Sequence, residues 1–324
     1  MNGNAALVCA YRLDGRGGGE SIDWAELTSA PPQGDALWVH LDRSQPETRD
    51  WLANRSGIDP LIVEALLEEE TRPRCEPFDQ GLLVILRGVN LNPGADPSDM
   101  IAIRIWIDGQ RLISTRARRL MAVQDIRERI DAGRGPKDAA DLLVSIAGNL
   151  IRRMGPAIDA LEELVDDLEE EVILKGNRDI RSRLIEMRQQ TIGLRRYLSP
   201  QREALGRLLA EEAPWLDSRH KVRLREVADR TVRYIDDLDN VRERASIVQD
   251  ELANRLSEQM NRTMYVLTLV AAIMLPLGFI TGLLGINVGG IPGAENPLGF
   301  AVVCLVLVGI VAAQVWIFRR LRWL

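Results

Sequence analysis

The sequence is poor in the side chains that bind transition metals tightly or form disulfides, with three cysteines and two histidines among 324 residues. Cys9, Cys75 and Cys304 lie far apart and form no CxxC pair, which argues against a disulfide framework and against a zinc finger. His40 and His220 are isolated in the sequence, so a structural role is favoured over metal ligation for both. We therefore expect no resident cofactor, and the sequence alone assigns no metal-binding residues.

The chain also lacks an excess of basic residues and any catalytic motif. Its net charge is −6, whereas nucleic-acid binding usually needs a basic face, so we expect no nucleic-acid partner. The glycine-rich segment 15–20 matches neither a phosphate-binding nor a dinucleotide-binding pattern and is interpreted as a flexible loop. No nucleophile lies next to a base in a recognisable motif, so we do not expect an enzyme. The apolar stretch 5–11 is too short for a signal peptide and has no basic flank.

Charge is absent from two long runs near the C-terminal end, 264–286 and 297–318. A helix rises about 1.5 Å per residue, so about 20 apolar residues are needed to cross the hydrocarbon of a bilayer. Both runs are long enough, and we predict two transmembrane helices. The alternative, two buried helices of a soluble core, is disfavoured because such helices are usually shorter and amphipathic.

The arginines that flank the two runs predict their orientation. Arg255 and Arg262 precede the first run and Arg319 and Arg320 follow the second, whereas the connection 287–296 has no Lys or Arg. Positively charged residues favour the cytoplasmic side of a membrane. We therefore expect a multi-pass protein of the inner membrane, in contact with lipid, with both termini in the cytoplasm.

Residues 1–135 predict a cytosolic α/β domain. Apolar runs rich in Val and Ile predict strands, and Asp108-Gly109 suits a two-residue hairpin turn. The predicted strands are 36–41, 82–89, 100–107 and 111–115, and the predicted helices are 46–55, 60–69 and 120–131.

Residues 136–217 have a helical pattern and predict two arms, 137–174 and 179–198, joined at 175–177. The first arm is rich in Asp and Glu between 162 and 171. This acidic surface is interpreted as an ordinary solvated helix face, which is favoured, or as a surface that gathers cations near an ion path or senses their cytosolic level.

A long stalk helix is predicted over 218–263, and neither Pro nor Gly separates it from the first apolar run. Its apolar positions recur at steps of three and four, which is typical of coiled-coil packing. These positions are Leu224, Val227, Thr231, Tyr234, Leu238, Val241, Ala245, Val248 and Leu252. Stalk and first span together predict a helix of roughly 65 residues, about 100 Å long. A helix of this length is hard to cover within one subunit, so we expect self-association.

One face of the first span carries residues that are mostly small or weakly polar. This stripe consists of Thr268, Ala271, Leu275, Gly278, Gly282 and Gly285. We extend it to Met264, and we include Asn261, in the stalk, among the predicted pore-lining residues. Small residues permit close packing between membrane helices; alternatively, the stripe faces a pore shared by identical subunits. Asn287 favours the pore, because a ring of amide oxygens at its outer end is a neutral acceptor for a cation or its hydration shell. Glu295, the one acid of the outer loop, either concentrates cations at the outer mouth or is an ordinary loop residue.

The first span ends in Gly285-Ile286-Asn287, followed by Val-Gly-Gly-Ile-Pro-Gly at 288–293. A C-terminal two-span hairpin with Gly-Met-Asn after the first span marks the CorA superfamily of metal-ion transporters, and the variant in this chain resembles the zinc-transporter branch, the ZntB proteins. The resemblance covers the whole layout of the chain. Leu284 stands where magnesium-type members usually have Tyr, and Ile286 replaces Met, so both departures favour zinc.

The resemblance implies a mostly helical α+β fold with an N-terminal α/β cytosolic domain, helical arms, a coiled-coil-like stalk and a C-terminal two-helix transmembrane hairpin. It implies a funnel-shaped homopentamer whose first spans line the pore, with Gly285, Ile286 and Asn287 as the selectivity motif and Zn²⁺ as the transported ion. The expected parts of the chain are 1–135, 136–217, 218–263, 264–286, 287–296, 297–318 and the basic tail 319–324.

Two alternatives stay open at this stage. The first is a channel of the same superfamily for Mg²⁺, Co²⁺ or Ni²⁺. The second is a membrane-anchored coiled-coil sensor or scaffold, for which Asn287 and the stripe would be dispensable.

Overall fold

The computed structural model of the chain describes residues 5–29, 36–174, 179–286 and 296–321. Two compact units divide the chain, and the boundary lies between Gln249 and Asp250. The first unit contains a mixed sheet with helices on both faces followed by longer helices, and the second contains two apolar helical segments. The expected α+β, mostly helical fold class is confirmed.

The sheet of the first unit has seven strands in the order β2-β1-β3-β7-β6-β5-β4. Their bounds are β1 Leu7–Leu13, β2 Gly19–Ser21, β3 Leu37–Asp42, β4 Arg74–Phe78, β5 Gly81–Gly88, β6 Ile101–Ile107 and β7 Arg111–Arg116. The β3–β7 pair is parallel and the other neighbouring pairs are antiparallel. A parallel neighbour needs a crossover connection, and the chain between β3 and β7 supplies two helices and three strands.

Successive side chains of a strand point to opposite faces of the sheet. In the central strands, the side chains on both faces are buried. Leu83 and Ile85 of β5 join one core with helices α1 Trp24–Ser29, α2 Pro46–Asn54 and α3 Pro60–Leu67. Val84 and Leu86 of the same strand join the core on the opposite face. Burial on both sides explains why these strands read as unbroken apolar runs.

The second core packs helices of the C-terminal half of this unit onto the sheet. These helices are α4 Met121–Asp131, α5 Ala139–Arg152, α7 Asp179–Ala210 and the first turns of α8 Ser218–Leu284. Helix α6 Gly155–Leu174 lies outside this core. The last helix, α9 Gly299–Arg320, belongs to the second unit.

The predicted strands and the hairpin at Asp108-Gly109 are confirmed, with Gly109 in the left-handed region at φ +92°. The strands β1, β2 and β4 and the helix α1 were not predicted. The prediction of a loop over 15–20 is wrong for its last two residues, because Gly19 and Glu20 pair with Leu13 and Arg12 in the β1–β2 ladder.

The prediction of one helix over 137–174, the first helical arm, is also wrong. This range forms two helices, α5 and α6. Pro156 lies in the first turn of α6, where a missing N–H breaks no helical hydrogen bond, whereas it would break one in a continuous helix. The second arm is longer than predicted, because α7 continues through Pro200 to Ala210. The predicted connection 175–177 lies outside the described residues.

The predicted stalk helix is confirmed, and α8 is 67 residues long. Leu224, Leu238, Ala245 and Val248 on its predicted seam are buried within the single chain. The seam is therefore covered by the chain's own helices, contrary to the reasoning that one subunit could not cover it. The apolar positions that follow, Leu256 among them, are exposed.

We predict that Leu205→Ala lowers the melting temperature of the full chain by roughly 5–15 °C. Leu205 is 1% exposed in the core beneath the sheet, and such truncations cost about 2–5 kcal/mol. Ile192→Ala on the same helix is the matched control, because Ile192 is 56% exposed. Equal melting temperatures for the two variants would contradict this packing.

Candidate functional site

In the second unit, α9 covers one face of the apolar part of α8. Leu277 lines an apolar groove together with Leu307, Val308 and Val311 of α9. The Gln314 side-chain amide donates to the backbone carbonyl of Ala272 over 3.1 Å. Within the apolar part of α8, 264–284, the partly buried residues all fall on this face: Leu269, Ala272, Ile273, Pro276, Leu277 and Ile280.

The predicted stripe lies on the face of α8 that α9 leaves uncovered. Every member within α8 is exposed, namely Asn261, Met264, Thr268, Ala271, Leu275, Gly278 and Gly282. Leu275, in the middle of the stripe, is 72% exposed. An apolar helix face of this kind needs either lipid or another protein surface to cover it.

Gly278 and Gly282 of the stripe have no packing role within the described chain. A Cβ atom added at Gly278 or at Gly282 would meet no heavy atom of the described residues within 4 Å. The Thr268 hydroxyl donates to the Met264 carbonyl over 2.8 Å, so its proton is held by the helix while the oxygen stays exposed. The small side chains here leave room for lipid or for another protein surface beside the helix.

The helix ends just before the predicted selectivity motif. The Gly285 N–H donates to the carbonyls of Thr281 and Gly282, at 3.0 and 3.2 Å, which closes the last turn. Gly285 and Ile286 are exposed. Asn287 and Glu295 lie outside the described residues. Both α8 and α9 contain segments long and apolar enough to cross a membrane.

Arginines pair with several acids of the first helical arm. Arg244 of α8 donates from Nε and Nη2 to the two carboxylate oxygens of Glu169, at 2.8 and 2.6 Å, and also pairs with Asp166. Arg183 of α7 lies 2.5 Å from Glu171. These acids therefore join α6 to α7 and α8, which leaves fewer of them to attract cations than the sequence suggests.

A group of acids around Glu162 keeps unbalanced negative charge. Burial, and then the nearby carboxylates of Asp237 and Asp159, raise the pKa of Glu162. Burial and the neighbouring Asp236 likewise raise the pKa of Asp237. Within the described ranges no group of three or more Cys, His, Asp or Glu side chains has a metal-binding arrangement.

The surroundings of His40, His220 and Cys75 favour a structural role for each of them. His40 is fully buried, with Nδ1 2.8 Å from the Ser114 hydroxyl, and burial followed by Arg116 lowers the pKa of His40 to about 3. His220 lies 2.9 Å from Asp217. Cys75 is fully buried, and burial followed by Glu211 raises the pKa of its thiol to about 12.

A two-helix apolar unit attached to a mixed-sheet unit by one long helix is the architecture of a known transporter class. The family described as "CorA-like Mg2+ transporter protein" matches residues 33–320. The chain therefore belongs to the CorA-like family, as the Gly-Ile-Asn motif and the layout of the chain predict.

Relatives and solved structures agree with this assignment. The chain is 42% identical to "Divalent cation transporter CmaX" of Pseudomonas aeruginosa, over 98% of this chain and 97% of the relative. It is 37% identical to "Zinc transport protein ZntB" of Pectobacterium carotovorum, over 99% and 97%. The full-length CmaX structure matches over 100% of both chains with a TM-score of 0.85 and 40% identity. The CorA magnesium transporter of Methanocaldococcus jannaschii shares the fold, with a TM-score of 0.83 over 98% of both chains and 21% identity.

We predict that Glu162→Gln stabilises the chain at neutral pH and not at acidic pH. The raised pKa means that ionised Glu162 disfavours the folded state. This penalty is complete above the folded-state pKa and disappears as the pH falls below about 4.5, where the unfolded group is also protonated. We expect a gain in melting temperature on the order of 1 °C at pH 7.

The matched control is Glu170→Gln, since Glu170 is an exposed acid of the same helix. Thermal unfolding of both variants is measured at pH 7 and at pH 4. A gain for Glu162→Gln that is equal at both pH values would contradict the electrostatic explanation.

Proposed function

We propose that the chain is a divalent-cation transporter of the inner membrane, with Zn²⁺ as its principal ion. The observation that carries the proposal is the exposed stripe on α8, which α9 does not cover. The family is described as Mg²⁺ transporters, and relatives over nearly the whole chain are named as divalent-cation or zinc transporters. In this proposal the stripes of identical copies surround a common pore, and both termini lie in the cytoplasm.

Self-association explains the size of the residues in the stripe. Lipid tails are as apolar as Leu, so membrane helices associate mainly through close packing, for which small residues are needed. Gly278 and Gly282 have open space beside them within the described chain. Copies of α8 that converge there fill part of this space and leave the rest for the ion. The number of copies, five, comes from the family resemblance.

The first span determines how the ion is held. Zinc in tight sites is bound by thiolate, imidazole or carboxylate groups, and 264–286 contains none of these. The available ligands are the Thr268 hydroxyl, the Asn287 amide and backbone carbonyls. We infer that the ion crosses at least partly hydrated, held by neutral oxygens. Because the span has no Asp, Glu, His, Lys or Arg, it lacks the side chains that usually form a proton relay.

The apolar centre of the stripe closes the pore at rest. Ala271 and Leu275 are exposed on the stripe, and a ring of apolar side chains excludes ions when water leaves it. At the outer end, Asn287 supplies the selectivity collar, next to Gly285 and Ile286. Glu295 concentrates cations at the outer mouth.

The collar predicts that Asn287→Ala abolishes most Zn²⁺ flux. The purified chain and the variant are reconstituted in liposomes, and entry of Zn²⁺ and of Mg²⁺ is followed with ion-sensitive dyes. Because the amide oxygen replaces part of the hydration shell, its loss is expected to lower Zn²⁺ entry by about tenfold or more. Gln259→Ala is the control, because Gln259 is an exposed amide of α8 that does not belong to the predicted pore-lining residues.

The ion comparison separates the possible functions. Zn²⁺ entry with little Mg²⁺ entry supports the zinc assignment, whereas equal entry of both ions would overturn it and leave a general divalent-cation channel. An assembled wild-type protein that passes neither ion under several gradients would contradict transport and favour a sensor or scaffold.

The closed constriction predicts that Leu275→Ser raises cation leak in the absence of a stimulus. A hydroxyl in the apolar ring keeps water in the pore and lowers the barrier to ions. The matched control is Val270→Ser, because Val270 is also exposed but lies about 140° round the helix from Leu275. Unchanged leak in Leu275→Ser, or equal leak in the two variants, would contradict the constriction.

A further inference from the structure

The first unit contains a cavity of about 710 Å³ whose wall is rich in arginine. Seven arginines and four acids line it, so positive charge is in excess. Its volume falls in the range of about 300–1,000 Å³ that is typical of small-molecule sites. Sequence reasoning did not find it, because the arginines are scattered over β4, β5, β6, α7, the segments that follow β3 and β7, and the segment that precedes β4.

Arg104 of β6 is a buried cation whose contacts are with neutral groups. Its side chain lines the cavity, and the residue is 2% exposed. Nη2 donates to the backbone carbonyls of Glu68 and Glu69, at 2.6 and 3.1 Å. Nε is buried and has no acceptor among the described residues. Within the same ranges no carboxylate lies at ion-pair distance from Arg104.

Two further arginines of the wall, both partly buried, also donate to neutral groups. Arg87 donates to the carbonyls of Met100 and Thr71, at 2.7 and 2.8 Å, and its guanidinium lies 4.0 Å from the centre of the Tyr197 ring. Arg43 donates to the Leu67 carbonyl at 3.2 Å. In both side chains Nε is buried without an acceptor among the described residues.

Two of the four acids of the wall are paired with other arginines, and the other two, Glu69 and Glu70, are exposed. Asp99 is paired with Arg118 at 2.5 and 3.1 Å, and Glu68 lies 3.3 Å from Arg74. Burial, and then the positive charges of Arg43 and Arg87, lower the pKa of Arg104 to about 10. A buried charge is costly unless it is paired. Arg104 has no paired acid among the described residues, so an anion in the cavity would stabilise it.

We propose that this cavity binds a small phosphate-bearing anion. The guanidinium group presents its N–H donors in a rigid fork that matches phosphate oxygens. Five of the seven wall arginines have no carboxylate of the described residues at ion-pair distance, namely Arg43, Arg72, Arg87, Arg104 and Arg196. One face of Tyr197 already carries Arg87. The phosphate group is therefore the part of the ligand that the arginines recognise. It can belong to an inorganic phosphate or to a nucleotide.

Isothermal titration of the purified full chain with pyrophosphate and with ADP, at matched ionic strength and without divalent metal, tests the proposal. We expect one saturable site per chain. Equal affinity for both ligands means that the cavity recognises the phosphates alone. Higher affinity for ADP means that the cavity also contacts the nucleoside. Heat signals that do not saturate for either ligand at millimolar concentration would overturn the proposal.

Two variants link the binding to the cavity. Arg72→Gln combined with Arg196→Gln changes exposed wall residues, so the fold should persist, and we expect binding to weaken about tenfold or more. Arg104→Met should abolish binding. Arg152→Gln is the control, because Arg152 is exposed and does not line the cavity. Undiminished binding in the double variant, or equal loss in Arg152→Gln, would overturn the proposal.

Discussion

The backbone of α8 has to satisfy its own hydrogen bonds through the apolar segment, because hydrocarbon offers no partner for a free N–H or C=O group. A continuous helix meets this requirement except at Pro276, which has no N–H to donate to the Ala272 carbonyl. Gln314 of α9 donates to that carbonyl instead, so side chains distinguish one face of the helix from another. One face packs against α9 around Leu277, and the opposite face carries the stripe centred on Leu275. The proposed pore follows from this division, since a surface with two glycines and open space beside them suits a second copy of the same helix.

The charged part of α8 is organised by a different interaction. In the first unit its seam residues, Leu238 and Val248 among them, are buried against the chain's own helices, and Arg244 joins it to Glu169 and Asp166 of α6. Partly exposed ion pairs contribute little each to stability, so the apolar seam carries most of the packing. The acids of α6 hold helices together, and the group around Glu162 is where negative charge remains unbalanced.

The sequence was informative wherever the signal was local. Uncharged runs, the three-and-four spacing of α8 and the Asp108-Gly109 turn predicted the apolar helices, the long helix and one hairpin, and the Gly-Ile-Asn motif led to the correct family. The strand β4 was missed because Pro77 argues against a strand, although an edge strand tolerates it. The arginine cavity could not be predicted, because its wall forms only when distant segments meet on the folded sheet. Placement of Asn287 remains a prediction.

The exposed stripe as a pore wall is tested most directly by cysteine accessibility. Ala271→Cys, Leu275→Cys, Gly278→Cys and the control Val270→Cys are prepared in a chain with Cys304→Ala, and Cys9 and Cys75 are buried. Each variant in liposomes is treated with a membrane-impermeant thiol reagent under a Zn²⁺ gradient. Because thiolates form in water and not in lipid, we expect rapid labelling at Gly278→Cys, slower labelling at Ala271→Cys and Leu275→Cys inside the apolar constriction, and protection at Val270→Cys. Equal labelling at all four positions, or labelling only at Val270→Cys, would contradict the proposed pore wall.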